Sequence, residues 1–495
     1  MDTKKEISCL DKNVKIYHKA VDVEGEYQES LPAYLDDIYR VVKCVAHSFV
    51  TSADISFNEV KVYGKTNIQI TYYNENSKLC FADFEEDFAK SLTVDNLTDT
   101  AFIKASICDK YTNFRVINQR RIDIHTMSVL HISVYDSVKC PTICSCEHSK
   151  LKTERITTSD VIAAHTDRIE FDEDVTLPAD SQAIGRIISS TAFPQITETK
   201  MIKDKILVKA NLNVALLYTA DSENEEIERA EYSFTLSKII DIGGIDERDI
   251  VIPEADLGSL FFKIKGAANE KISLINLFGE ITLALTFIRN TDIEIVTDGY
   301  ILGTESDCQY SEFTAATDGK LIQDNRQIAV PLEFNSDIRE IKELGVTLKT
   351  PQLRDGKVSS TVDATAIINN EGGLASANAS SDIEFSIDGC GDAVLSLGIE
   401  SFDYSISADN RIDLRLTLKV TAFCFNESTF RVLSDITAGD NTPDTHTLTV
   451  YFGKEKENVW DIAKTFLSDK DLIISENSLS SDVLDTPKVL IIPKV

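Results

Sequence analysis

One pattern limits the fold of this chain more than any other: a stretch is repeated 146 residues further on, in register and without a gap. Leu31-Pro32-Ala33 returns as Leu177-Pro178-Ala179, and Ile38, Arg40, Val41 and Val42 return as Ile184, Arg186, Ile187 and Ile188. The run Val62, Gly64, Thr66, Ile68, Ile70, Tyr72 reappears as Val208, Ala210, Leu212, Val214, Leu216, Tyr218, and Phe88 as Phe234. Alternation alone could match the apolar positions. It does not explain Leu-Pro-Ala, a tyrosine and a phenylalanine holding one register, so the spacing points to duplication.

A third copy is fainter. Val358, Ser360, Val362, Ala364 and Ala366 repeat the alternating run, with Phe385 near its place, and Arg121-Ile122-Asp123-Ile124 recurs as Arg411-Ile412-Asp413-Leu414. Within each copy the apolar period is two, as half-buried antiparallel strands require. Turn formers such as Asn74, Asn76 and Ser77, or Asp221, Ser222 and Asn224, separate the runs. The expectation is mainly β: three β-sandwich-like repeats, each long enough to own a core. Apolar content of 43% supports packed cores over disorder. The expected boundaries are a leader at 1–19, repeats at 20–139, 155–292 and 293–436, and connectors at 140–154 and 437–446.

After residue 446 the pattern changes. Leu448, Val450, Tyr451 and Phe452 read as a short strand, and Val459, Ile462, Ala463 and Phe466 fall on one face of a helix. Asn458 can cap that helix, with Asp461 three residues on in a variant of the capping box. A second helix over 469–476, ending at Asn477, and a strand at Val489-Leu490-Ile491-Ile492 stopped by Pro493 complete a small α+β module of order βααβ over 447–495.

These residues resemble the LysM family. Tyr451 and the Trp460-Asp461-Ile462-Ala463 run match its opening segment and its Trp-x-Ile-Ala signature, and Asn477 and Ile491-Ile492-Pro493 match its later landmarks. The resemblance implies a shallow groove between two loops, here Lys456, Glu457, Asn458 and Val459 facing Ser480, Ser481, Asp482 and Val483. In the family that groove takes N-acetylglucosamine glycans of peptidoglycan, and in some spore-assembly proteins the module contacts a protein instead. Lys456-Glu457-Asn458 stands where the family has Gly-Asp-Thr, and no glycine precedes the last strand. Glycine permits positive φ and close backbone approach, so its loss favours a protein partner over a glycan.

The upstream copies resemble the SPOCS domain of endospore-forming bacteria. The likeness rests on Leu31-Pro32 and Leu177-Pro178, the alternating run over 62–72, and Arg115-Val116-Ile117-Asn118. SPOCS units with a terminal LysM imply a spore-coat morphogenetic scaffold in the mother-cell cytoplasm, at the forespore surface, docking through LysM on a morphogenetic ATPase.

Chemistry-bearing motifs are sparse. Gly64-Lys65-Thr66 lacks the upstream glycine of a phosphate loop, and Gly389-Cys390-Gly391 stops short of a dinucleotide fingerprint. Cys140, Cys144, Cys146 and His148 offer zinc-type ligands, but four within nine residues at uneven spacing suit a tetrahedron poorly. An ordinary connector is the expectation, with zinc or redox sensitivity as alternatives. Trp460 reads as core. Glu85-Glu86 and Glu225-Glu226 read as solvated surface, and His18, His47, His125, His131, His165 and His446 as structural residues. No cofactor or enzymatic activity is expected.

A net charge of −31 disfavours nucleic acid and anionic bilayers. No run of 18 apolar residues and no apolar segment near Met1 occurs, so neither a transmembrane helix nor a secretory leader is expected. The ten cysteines, mostly far apart, are then expected as free thiols in the cytoplasm. The leading expectation is a non-enzymatic scaffold, with a glycan-binding envelope protein as the alternative.

Overall fold

The computed structural model describes residues 4–178, 181–265, 274–370, 373–408, 410–439 and 449–494. The chain is mainly β. Its first unit runs β1 (Lys5–Ser30), β2 (Arg40–Ser56), β3 (Glu59–Tyr73), β4 (Leu79–Thr93), β5 (Phe102–Asn118) and β6 (Arg121–Cys146). The second runs β7 (Ser149–Thr176), β8 (Ile184–Ile202), β9 (Lys205–Ala220), β10 (Ile227–Asp241), β11 (Ile250–Lys265) and β12 (Leu274–Ile301). The third runs β13 (Ser306–Glu333), β14 (Glu340–Leu348) with the short β15 (Gln352–Arg354), β16 (Lys357–Asn370), β17 (Gly373–Ser386), β18 (Asp392–Ala408) and β19 (Arg411–Ala438).

Each unit builds two antiparallel sheets with one strand order. The first sheets are β1-β6-β5, β7-β12-β11 and β13-β19-β18. The second are β2-β3-β4, β8-β9-β10, and β14 with β15 on β16 beside β17. Alternation drives this arrangement. Ile68, Ile70 and Tyr72 on β3, and Val208, Ala210, Leu212, Leu216 and Tyr218 on β9, are fully enclosed. Each buried aliphatic side chain contributes on the order of 1.5–3 kcal/mol. Separate cores fill the three sandwiches.

The first and last strands of each unit outrun the sandwich. The 140–154 segment, expected as a connector, is strand apart from a turn at Glu147-His148, where His148 takes φ +58°. Most of the expected 1–19 leader is likewise strand, with Lys5–Lys15 paired along the end of β6. The overhangs form three two-stranded ribbons, β1/β6, β7/β12 and β13/β19. Ile143, Val296, Ile301, Leu433 and Ile436 interlock in one shared cluster of this hub, and Ile156, Ile295, Phe313, Ala315 and Val432 in another. The connector expected at 437–446 lies largely outside the described residues.

The units also close into a ring. His47 Nε2 meets the carbonyl of Leu257 at 2.8 Å, joining units one and two. Gln195 donates to the carbonyl of Ile399 at 3.2 Å, joining two and three. Arg40 donates to the carbonyl of Leu374 at 3.1 Å, closing three onto one. At the centre, Val42, Leu79, Ile188, Leu217, Ile367 and Leu374 make one cluster drawn equally from the three units. Beside it, bulges at matching places in β2, β8 and β14 turn Lys43, Ser189 and Glu343 toward one another. Lys43 pairs with Glu343 and donates to Ser189 Oγ at 3.2 Å, with the two charged side chains 5% and 4% exposed.

One thiol expectation is corrected. Cys390, in the turn before β18, and Cys424, on β19, form a disulfide with Cα atoms 5.1 Å apart. Both face the same small apolar cluster, which brings together residues that are distant in sequence. The other eight cysteines are free.

Candidate functional site

The C-terminal module consists of β20 (Thr449–Gly453), α1 (Val459–Thr465), α2 (Lys470–Glu476) and β21 (Lys488–Ile492). Asn458 caps α1 by accepting from the Trp460 amide at 2.8 Å, the second helical position, and Asp469 caps α2 in the same way through Asp471. Val459, Trp460, Ile462 and Ala463 bury one face of α1 against Ile473, Leu484, Leu490 and Ile492.

That core is not self-contained. Tyr300 of β12 belongs to it, fully buried, with its ring edge-on to Trp460 at 5.2 Å. Its hydroxyl donates to the carbonyl of Ser468 at 2.8 Å. Asp298, two residues earlier, accepts from the Trp460 indole N–H at 2.9 Å, from Lys464 at 2.5 Å and from the Tyr310 hydroxyl at 2.9 Å. Burial pushes the Asp298 carboxyl up, but the bonds from Lys464, Trp460 and Tyr310 outweigh it and hold it below the ordinary range. Lys150 adds pairs to Asp469 at 3.0 Å and Asp471 at 2.8 Å. Gly303, at φ +69° in the β12–β13 turn, donates to the carbonyl of Leu467 at 2.8 Å. The module is therefore fastened to the hub, and Trp460 is the core residue at that fastening, 6% exposed.

The two loops singled out in the sequence do meet. Lys456 N donates to the Leu484 carbonyl at 2.7 Å, Val459 N to the Asp482 carbonyl at 2.8 Å and Leu484 N to the Glu457 carbonyl at 2.9 Å, while Asn458 and Val483 form a bridge. Most of the side chains are already engaged inside the module. Glu457 accepts from the Tyr451 hydroxyl at 2.6 Å and the Lys454 amide at 2.8 Å, which hold its carboxyl below the usual range. Asn458 is the helix cap, Asp482 pairs with Lys470, Ser481 Oγ accepts from Val483 N, and Val459 lies wholly in the core. Lys456, Ser480 and Val483 point to solvent. Lys456 adopts φ +67°, so the loop makes a left-handed turn without a glycine. That conformation costs a non-glycine residue roughly 1–2 kcal/mol.

An exposed apolar surface of the module lies elsewhere. Val450 pairs across from Ile491 and Phe452 from Val489, and all four side chains stand on the sheet face away from the helices. Phe452 is 73% exposed. The sequence held the signal, a strand apolar on both faces in a module whose two helices can cover one.

Away from the module, Cys140 and Cys146 are half-buried and Cys144 exposed along the end of β6, with His148 in the turn. Among the described residues, no three His, Cys, Asp or Glu side chains are grouped to hold a metal ion. A cavity of about 1640 Å³ lies between the units, with Asn67, Ser190, Gln195 and Thr365 in its wall. His47 sits at its edge, 3.2 Å from Asp109 and 3.3 Å from Asp256. Burial lowers its pKa, but the carboxylates of Asp256 and Asp109 more than reverse that and hold it well above the usual value. Its bonds span two units, which is a structural role. No described helix is long and apolar enough to cross a membrane.

Residues 183–265, which span β8 to β11 of the second unit, match the family model described as SipL, SPOCS domain. The chain thus contains a SPOCS domain, and that family links it to sporulation. No curated protein and no solved structure matches the chain.

Proposed function

We propose that the protein is a non-enzymatic scaffold of spore-envelope assembly, similar to SipL, that tethers through its C-terminal module to a spore morphogenetic protein. All three units are then read as SPOCS repeats and the module as a LysM domain. The exposed apolar face of Val450, Phe452, Val489 and Ile491 carries the reading. Sugars are gripped by open hydrogen-bonding groups. In the two loops such groups are largely spent on the module itself, whereas a flat apolar sheet face suits a protein surface. The fastening at Asp298 then gives a tether of fixed direction on the ring. The predicted partner is the morphogenetic ATPase of the forespore surface, and the predicted place of action the mother-cell cytoplasm.

Binding of the full chain to that ATPase tests the proposal. Phe452→Ser, an exposed change that spares the core, is expected to weaken binding by at least tenfold, since an aromatic anchor at an interface centre contributes about 2 kcal/mol or more. Binding unaffected by this change would remove the apolar face as the contact. Absence of binding, together with retention on insoluble peptidoglycan abolished by free chitooligosaccharide, would favour the glycan alternative.

A further inference from the structure

Sheet β1-β6-β5 of the first unit has two unpaired edges of opposite charge. From residue 110 to 121, β5 and its turn carry Lys110, Arg115, Arg120 and Arg121 and no acid. From 20 to 30, β1 carries Asp22, Glu24, Glu26 and Glu29 and no base. This polarity is local, inside a chain of net charge −31. Part of it is neutralised internally. Lys110 pairs with Asp22 across the sheet at 2.9 Å, Arg120 pairs with Asp37 at 2.6 Å, and Arg121 donates to Gln28. Arg115 is left on one edge; on the other stand Glu24, Glu29 and Glu26, the last 3.9 Å from His125 Nδ1. Glu29 is under visible pressure: burial and the adjacent Glu86 hold its carboxyl above the usual range, so a neighbouring cation would relieve it.

The β5 edge is also apolar and regular. Its residues Tyr111 to Val116 pair with β6 without interruption between two bulges, and no proline interrupts them. Phe114, Val116 and Ile117 are exposed. The matching positions in the other units show what such an edge ordinarily meets. By register, Phe114 opposite Ile124 corresponds to Phe262 opposite Leu277 and Tyr404 opposite Leu414. Phe262 is covered by Phe81 of unit one, ring to ring at 5.3 Å. Tyr404 lies within reach of the Arg229 charge of unit two. The residue matching Phe81 and Arg229 in unit three is Ser376, too small to cover Phe114, which stays 43% exposed.

We infer that the β5 edge of one copy docks against the β1 edge of a second copy of this chain, with Arg115 meeting Glu24 and Glu26, and Phe114 and Val116 continuing the apolar layer of Val23 and Tyr27. Edge-to-edge pairing satisfies main-chain donors and acceptors that the sheet leaves unpaired at its two ends, on β5 beyond Thr112, where the Ala46 amide of β2 meets the strand. The contact is heterologous, because each copy offers one edge of each kind, so it propagates into open chains instead of closing a pair. It is independent of the C-terminal module and of any tether.

The test is sedimentation of the full chain at low ionic strength across the micromolar range. The wild-type chain should form species that lengthen with concentration and dissociate as salt rises. Arg115→Glu alone, and Glu24→Arg with Glu26→Arg, should each shift the association midpoint to at least tenfold higher concentration. An equimolar mixture of the two variants should assemble again, because each mutated edge now complements the other. A wild-type chain that stays monomeric throughout, variants that associate like wild type, or a mixture that stays monomeric would each overturn the inference. These side chains are exposed, and unchanged unfolding curves confirm that the variants fold.

Discussion

The Lys43–Glu343 pair at the centre of the ring makes the arrangement of the three units measurable. The two residues are 300 positions apart, and their side chains are 5% and 4% exposed. If the units were independent beads, each charge would be solvated and its partner irrelevant. In the ring, Glu343→Gln strands a buried ammonium. Breaking a buried pair from one side costs about 3–5 kcal/mol. The amide still accepts a hydrogen bond and Ser189 Oγ remains at 3.2 Å, so the lower end, about 3 kcal/mol, is expected. That is a change of roughly 150-fold in the folded-to-unfolded ratio. The double change Lys43→Met with Glu343→Leu removes both charges. It is expected to restore stability to wild type or exceed it by roughly 1–4 kcal/mol. Urea unfolding of the full chain, followed by circular dichroism, reads both. Asp435→Asn serves as a control, because its pair with Lys5 is 29% exposed on each side and should contribute less than about 1 kcal/mol. A Glu343→Gln loss no larger than that of the control, or a double variant weaker than the single, would refute the buried-axis reasoning.

Trp460, the sole tryptophan, reports on the fastening of the module: Asp298→Ala should shift its emission to the red as the indole loses its acceptor and gains water, and an unchanged spectrum would contradict the contact. Because the Asp298 carboxyl is held below its usual range, its contribution is fully present above the ordinary carboxylate pKa and is lost only as pH falls through the lowered value. Emission should therefore stay constant from pH 7 to about pH 4 and change below it. For the Cys390–Cys424 link, denaturation without reductant should expose eight alkylatable thiols and reduction ten. Cys390→Ser should destabilise oxidised protein by roughly 3–4 kcal/mol, the cost of a closed loop spanning 34 positions, and leave reduced protein nearly unchanged.

The strands of the sandwiches were legible because their signal is local. Ile68, Ile70 and Tyr72 alternate with polar neighbours over consecutive positions, and all three are fully buried. The helix at 459–465 was legible for the same reason, from the spacing of Val459, Ile462 and Ala463 and the cap at Asn458. The hub was not. Cys140 to Cys146 reads as a connector because Pro141, Thr142 and Ser145 break the alternation, and its cover, Leu433 and Ile436, comes from nearly 300 residues away. The same holds for Lys43, which reads as a surface lysine in any local window. At the module, the loops could be placed from sequence, but the internal use of Glu457 and Asp482 could not, because Tyr451 and Lys470 reach them only once the chain is folded.

The ring also explains why duplicated sandwiches should diverge as they do. Three copies on one chain have two joints bridged by covalent turns, at Glu147-His148 and near Gly303, and one joint closed by contacts alone. Bridged joints keep their partners at high effective concentration, so a cover such as Phe81 on Phe262 or Arg229 near Tyr404 is readily retained there. At the closing joint Ser376 offers no such cover, and Leu374 instead carries the seam through its backbone, to Arg40 and to the Tyr73 hydroxyl at 3.3 Å. Backbone contacts at the seam leave the flanking side chains of β5 free to change without opening the ring. The edge where Phe114 and Arg115 accumulate is therefore the place where a three-unit scaffold can acquire a new neighbour at least cost to its own fold.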